Sequence, residues 1–321
     1  MIHRYHRLLS GLIALVLSSV VFAADFPSRA VRIVLPFTAG GTLDSTARLI
    51  AAKLHDLWGQ PVLIDNRVGG NGAIGIDNVV RSPADGYTLL YNGSFIVVTQ
   101  QLQKTSFDIT KDLIPVVQPV AFWHVLCVSS KLPVNTFAEL IALAKKQPGK
   151  LNYGSGGLGS SLYLYMERLK SNLKIDIEHI PYKGGALPMQ ALLAGEIDMV
   201  FDTTFNMLPM IKAGKVKPLV VSGDKRLEIL SNVPTLSSFI PGMTEEPDWH
   251  GIFAPAGTPK SVVDKIASDV RTIVLSQELS TKFKEMEFQP SGLESDAFSD
   301  VVKKDFDKES KLIREHNIRP Q

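Results

Sequence analysis

The stretch NYGSGGLGSS, residues 152–161, puts Gly154, Gly156 and Gly159 in G-x-G-x-x-G spacing. The residues around it predict a strand over 150–153 and a helix over 161–170, with Leu162, Tyr165, Met166 and Leu169 at helical spacing. A glycine turn between strand and helix suits a dinucleotide, and equally a smaller anion. The nucleotide alternative needs an acidic residue at the far end of the next strand, about 20 residues on, to hold the ribose. Asp176 and Glu178 have that separation, but they open the strand, and its far end reads Pro181-Tyr182-Lys183. The loop therefore reads as a cradle for a small anion. Unpaired helix amides and the positive end of the helix dipole face the ligand, and Ser155, Ser160 and Ser161 offer hydroxyl donors.

The same order occurs earlier in the chain. VRIVLPF (31–37) predicts a strand buried on both faces, which Gly40 and Gly41 break. A helix follows with Leu43, Ala47, Ile50, Ala51 and Leu54 on one side. PVLIDNR (61–67) and GYTLLYNG (86–93) predict two further strands. Behind the second glycine loop, IEHIPYKGG, LPMQALLAGE and IDMVFD (197–202) read as strand, helix and strand. Strand, glycine loop, helix, strand, helix, strand thus appears twice, about 118 residues apart, as a repeat of architecture rather than of sequence. The expected fold is α/β, with two lobes built on mainly parallel sheets flanked by helices and a cleft between them. HVLCVSS (124–130) and KPLVVSG (217–223) are the expected crossings between lobes. Lobe one is then 24–123 with 224–321, including helices near 259–276 and 296–316, and lobe two is 124–223. Two crossings make a hinge that closes on a ligand.

The chain opens MIHRYHRLLSGLIALVLSSVVFAAD, in which Arg4 and Arg7 precede an apolar stretch and Val21-Phe22-Ala23 fits a small-residue cleavage rule. Residues 1–23 read as a signal peptide, because the apolar stretch of about 15 residues falls short of the roughly 20 that span a bilayer. A single cysteine, Cys127, allows no internal disulfide and lies far from the cleavage point, so it is no lipid anchor. The expected location is the periplasm, where little free NAD is available. Without Arg4 and Arg7, Lys+Arg falls from 34 to 32 and equals Asp+Glu at 32. That balance gives no grip on a polyanion and argues against nucleic-acid binding.

An enzyme reading finds little support. No G-x-S-x-G elbow is present, and His55, His124, His179, His250 and His316 are too scattered for a metal-binding spacing. No catalytic residue, metal or cofactor is expected. His124 and His250, near the crossings, are the two within reach of a cleft.

Seven segments in order carry a resemblance over essentially all of the chain after residue 23. They are FPSRAVRIVLPFTAGGTLDSTAR, GQPVLIDNRVGGNGAIG, SPADGYTLL, GKLNYGSGGLGSS, PYKGGALPMQALLAGEIDMVFD, NVPTL and GIFAPAGTP. On these the chain resembles the tripartite tricarboxylate transporter receptors, also called Bug-type periplasmic solute-binding proteins. The resemblance implies a type II-like Venus-flytrap clamshell, monomeric, that holds a small carboxylate between its lobes for membrane transporter subunits. A sensor kinase is the alternative partner. The implied ligand is a dicarboxylate, an acidic amino acid or an aromatic acid. The implied contacts are Pro36, Phe37, Thr38, Gly40, Gly41 and Asp44 in lobe one, and Ser155, Gly156, Gly159, Ser160, Ser161 and Asp202 in lobe two. Asp44 has the alternative role of an acid in the first helical turn, and Asp202 that of capping the segment after it. Lys183 either faces the anion or is solvated, and Asn92 and Ser94 border the cleft. Where family members often carry His-Leu, this chain has Tyr163-Leu164, an aromatic that either alters the pocket or packs on the sheet.

Overall fold

The computed structural model describes residues 26–157, 160–182, 186–223, 225–240, 247–315 and 318; the expected signal peptide lies outside them. Among the described residues two sheets form the frame. The first has six strands in the order β11-β4-β10-β3-β1-β2, and the second five in the order β7-β6-β8-β5-β9. The strands of the first sheet are β1 Val31–Leu35, β2 Val62–Asn66, β3 Thr88–Gly93, β4 Leu113–Phe122, β10 Asp248–Pro255 and β11 Phe288–Glu294. Those of the second are β5 His124–Ser129, β6 Asn152–Ser155, β7 Glu178–Pro181, β8 Met199–Thr203 and β9 Val216–Val221.

Both sheets are mixed, with most strands of each running in one direction. β1 runs parallel to β2 and β3, and β6 to β7 and β8, as the doubled order predicts. The remaining pairings are antiparallel: β10 lies reversed between β3 and β4, β11 pairs reversed with β4, and β5 lies reversed between β8 and β9. For β5 and β10 the cause is the pair of crossings. β5 is the first strand after the chain leaves the first sheet, and β10 is the first after it returns, so each enters its sheet from the opposite end. Residues 124–129 and 216–221 are therefore full strands of the second sheet, and the first crossing narrows to Trp123, between β4 and β5.

Helices cover the sheets through apolar faces. In α1 (Thr42–Trp58), Leu43, Ala47, Ile50, Ala51 and Leu54 are all buried, as their spacing predicts. The other helices are α2 Ala73–Val80, α3 Ile96–Leu102, α4 Ile109–Asp112, α5 Phe137–Lys146, α6 Ser161–Leu173, α7 Ala186–Ala194, α8 Thr204–Lys212, α9 Lys260–Val274, α10 Gln277–Glu285 and α11 Ser295–Glu315. One apolar core lies under α1 and α9, and a second runs from β3 and α3 through Trp249 and α11 into α6 of the other sheet. No helix of the described residues is long and apolar enough to cross a membrane.

Candidate functional site

The strand orders β2-β1-β3 and β7-β6-β8 each reverse direction beside the first strand. A ligand crevice forms at the carboxyl ends of the strands at such a reversal. Of the residues expected to bind, the described ones sit there: 36–44 follow β1, Ser94 follows β3, Ser155 ends β6 with Gly156, Ser160 and Ser161 after it, and Asp202 is the last residue but one of β8.

After β1, Pro36 is buried, Phe37 half-buried, and Thr38, Gly40 and Gly41 are exposed. The Phe37 ring meets Phe95 edge-on at 4.8 Å, forming an aromatic shelf beside Ser94. Gly41 opens α1 with φ −80° and ψ 176°, and no side chain caps the helix, which leaves its first amides available. The Asp44 side chain is buried among protein partners. Its carboxylate accepts from Gly40 N–H at 3.0 Å, from Arg48 Nε and Nη2 at 2.8 and 2.9 Å, and from Asn66 Nδ2 at 3.1 Å. Asn66 Nδ2 also donates to Phe37 O at 3.0 Å. The Arg48 guanidinium holds the Asp44 carboxyl below the usual carboxylate range. Through these bonds Asp44 ties the loop to α1 and β2.

After β6, two of the expected hydroxyls have partners inside the protein. Ser155 is 1 % exposed, and its Oγ lies 2.7 Å from His179 Nε2. Ser160 caps α6 by accepting from Tyr163 N–H. Gly156 remains at the half-exposed rim, Ser161 begins α6, and Gly159 and Lys183 lie outside the described residues. Tyr163 is nearly buried and packs on the His179 ring, centroids 4.7 Å apart. It fills space behind the loop, which answers the question its bulk raised.

The floors of the two crevices match. Asn92 in β3 faces Gly251 of β10, and Asp202 in β8 faces Val125 of β5. Each is buried, and each accepts from the next backbone N–H, Gly93 at 2.9 Å and Thr203 at 2.6 Å. Asp202 also accepts from Asn206 Nδ2 at 3.0 Å, while the N-cap of α8 is Thr203, whose hydroxyl accepts from Asn206 N–H. Burial pushes its carboxyl up to about 6. One register position further, His250 pairs with Gly93 and His124 with Thr203. Neither histidine opens into the cleft. Both are buried, desolvation lowers each to about 3, and His250 Nδ1 is 3.0 Å from Thr46 Oγ1.

Where the lobes touch, His124 Nε2 approaches Asp248 Oδ2 at 3.5 Å. The spacing suits an ion pair, but burial holds the imidazole neutral and pushes the Asp248 carboxyl up to about 7, opposed by the Ser94 hydroxyl it accepts from. Arg168 of α6 and Glu309 of α11 meet at 3.6 Å across the same seam. A cavity of about 20 Å³ there is lined by Ser94, Tyr165, Asp248, Asp305 and others. It has room for a water, not for an organic acid. Sequence reasoning missed Arg48, Asn66, Phe95, His179 and Asp248. Only the Asp44–Arg48 pair had a local signal, its i,i+4 spacing.

Two sheets joined by two crossings, each with a glycine loop at the carboxyl end of one strand, β1 or β6, form a two-lobed α/β fold. Residues 46–318 match the tripartite tricarboxylate transporter family receptor, and the chain belongs to that family. It is a family of extracytoplasmic solute-binding receptors, not of enzymes. A UPF0065 protein of Bordetella pertussis is 32% identical over 321 residues, 98% of each chain. The solved structure of R. palustris Rpa4515 with adipate aligns with TM-score 0.84 and 34% identity, covering 92% of this chain and all of that one. MatC from Rhodopseudomonas palustris, with bound malate, aligns with TM-score 0.77 and 27% identity, covering 90% of this chain and all of that one.

Proposed function

We propose that this chain is a periplasmic receptor that closes on a small dicarboxylate and delivers it, as a monomer, to a tripartite tricarboxylate-type membrane transporter. The observation that carries the reading is the N-terminus of α1 behind Gly40 and Gly41, which no side chain caps. Backbone amides of this kind hold a carboxylate without a formal cation. The adipate and malate in the two related structures support the ligand class. The contacts assigned to the ligand are Thr38, Gly40 and Gly41 with the Phe37 ring in lobe one, and Gly156, Gly159 and the start of α6 at Ser161 in lobe two. Lobe one comprises 24–123 and 224–321, and lobe two 124–223. A ligand satisfies both half-sites only when these approach, so its preference for the closed form drives closure.

The test is a thermal-shift series on residues 24–321 with adipate, malate and other short diacids, and with the corresponding diamides as controls. An acid at 100 times its Kd stabilises by about 2.7 kcal/mol, a shift of several degrees. Shifts with an acid and none with its amide support the reading. Equal shifts with acid and amide, or none with any acid, count against it.

A further inference from the structure

A polar relay lies behind the second glycine loop. Ser155 Oγ is 2.7 Å from His179 Nε2, accepts from Gly157 N–H at 3.2 Å, and lies 3.2 Å from Gly157 O. Gly157 O accepts from Ser160 N–H at 3.1 Å, and Ser160 caps α6. Gly157 has φ +115°, a conformation that glycine alone takes easily, so the turn cannot hold itself by side-chain packing. The imidazole is fixed in turn. His179 sits opposite Tyr153 in the β6–β7 register, stacks on the Tyr153 ring at 4.9 Å, and tilts on Tyr163 at 4.7 Å. Tyr153 Oη donates to Glu167 Oε1 at 2.8 Å, and Lys170 Nζ binds the same oxygen at 2.7 Å.

A hydroxyl has one proton, and the relay offers it two acceptors. With Nε2 unprotonated, Ser155 donates to the ring. With Nε2 protonated, the ring donates into Ser155 Oγ, and the hydroxyl proton turns to Gly157 O. Whether Nε2 carries a proton, always so in the imidazolium and set by the tautomer in the neutral ring, therefore decides how the loop is wired.

We propose that His179 is a positioning residue of the ligand cleft: through Ser155 it sets the shape of the Gly156–Gly157 turn and the N-terminus of α6, and its protonation couples ligand affinity to pH. This rests on the loop being part of the ligand site. The ionisable groups facing the ring are Glu167, Lys170 and Tyr163 from α6 and Tyr153 from β6. Desolvation keeps the ring below its ordinary value, with Glu167 acting to raise it and Lys170 to lower it. The ring is therefore neutral at pH 7, and its Nδ1–H tautomer gives the wiring in which Ser155 donates. Charging the half-buried ring at lower pH favours a loop opened toward water, which weakens binding.

The experiment has two arms. In the ligand-free protein, the Gly157 amide and the His179 ring protons are followed by NMR from pH 8 to pH 4. The expected result is a common midpoint below 6.5, with the Gly157 response lost in Ser155→Ala while His179 still titrates. A Gly157 amide indifferent to the His179 titration overturns the proposal, whatever the ligand proves to be. In the second arm adipate is titrated by calorimetry. His179→Phe and Ser155→Ala should each weaken binding about tenfold, with no further loss in the double variant, because coupled residues are non-additive. His179→Gln, whose amide oxygen can accept from the Ser155 hydroxyl, should bind within about threefold of wild type and lose the pH dependence. A Gly156→Val control separates the two readings. If it abolishes binding while His179→Phe binds normally, the relay proposal falls alone; if both bind adipate normally, the cleft assignment falls with it.

Discussion

The two glycine loops occupy the same place in their sheets, after β1 and after β6, yet opposite chemistry holds them. The first is clamped by charge: Asp44 gathers Gly40 N–H, Arg48 and Asn66 around one carboxylate. The second is clamped by a neutral hydroxyl and an imidazole, Ser155 and His179. The helices behind them differ in the same sense, since α1 has no side-chain cap and α6 is capped by Ser160. At the floor the difference reverses, with neutral Asn92 in the first sheet and ionisable Asp202 in the second. The repeat conserves backbone geometry and leaves charge free to vary. One half-site is therefore insensitive to pH near neutrality, and the other is placed to respond to it.

Equalising the floors gives the largest expected effect. The Asp202 carboxyl titrates near 6 when folded and near its ordinary 3.8 when unfolded. The folded state binds the extra proton between those values, so this group's contribution falls as pH rises from about 4 to about 6 and is flat above. Asp202→Asn removes that fall while keeping an oxygen for Thr203 N–H. Its stability relative to wild type should grow by up to about 3 kcal/mol between pH 4 and pH 8 in urea denaturation. A pH-independent difference would mean that Asp202 is not buried as a charge.

Removing the charged clamp comes next. Asp44→Ala strands Gly40 N–H and one Asn66 bond and should cost about 2 kcal/mol. His179→Phe, which keeps the ring packing, should cost less than about 1 kcal/mol. Equal losses would erase the contrast between the loops. The acid dependence should separate them as well. Asp44 and His179 both have lowered pKa values, but from different starting points. The stabilisation from His179 is complete above 6.5 and is lost as pH falls below it, whereas that from Asp44 persists until pH drops below about 3.9. Hydrogen exchange of Gly157 should rise before that of Gly40 as pH is lowered, after correction for intrinsic rates.

The same contrast marks what the sequence reveals. Periodicity found the α1 face and the doubled strand–loop–helix order because both are local. It missed the antiparallel insertion of β10 beside β3, because the Gly251–Asn92 pairing joins residues far apart in the chain. Glycine spacing located both turns but not which donors stay free. Ser155 reads as a free hydroxyl until His179, 24 positions on, is folded against it. Asp44 reads as a ligand contact until Asn66 arrives from β2. Tertiary partners decide whether a polar residue near a loop binds the ligand or builds the loop.

The smallest expected change in stability is the most discriminating for function. Gly41 has the extended backbone of an N-cap, and a Cβ placed there meets nothing within 4 Å. Gly40 is a poorer test site, because its φ of +92° strains any side chain. Asparagine ranks with the best N-caps and, unlike aspartate, adds no second charge beside Asp44. Gly41→Asn should therefore stabilise the protein by a few tenths of a kcal/mol. Its side-chain oxygen would also occupy amides that the ligand carboxylate uses, so adipate affinity should fall at least about tenfold, or roughly 1.4 kcal/mol. Calorimetry and a melting curve on one sample read both effects. Higher stability with weaker binding places the carboxylate at the start of α1. Higher stability with unchanged binding moves the ligand off that helix, leaving the second loop to hold it.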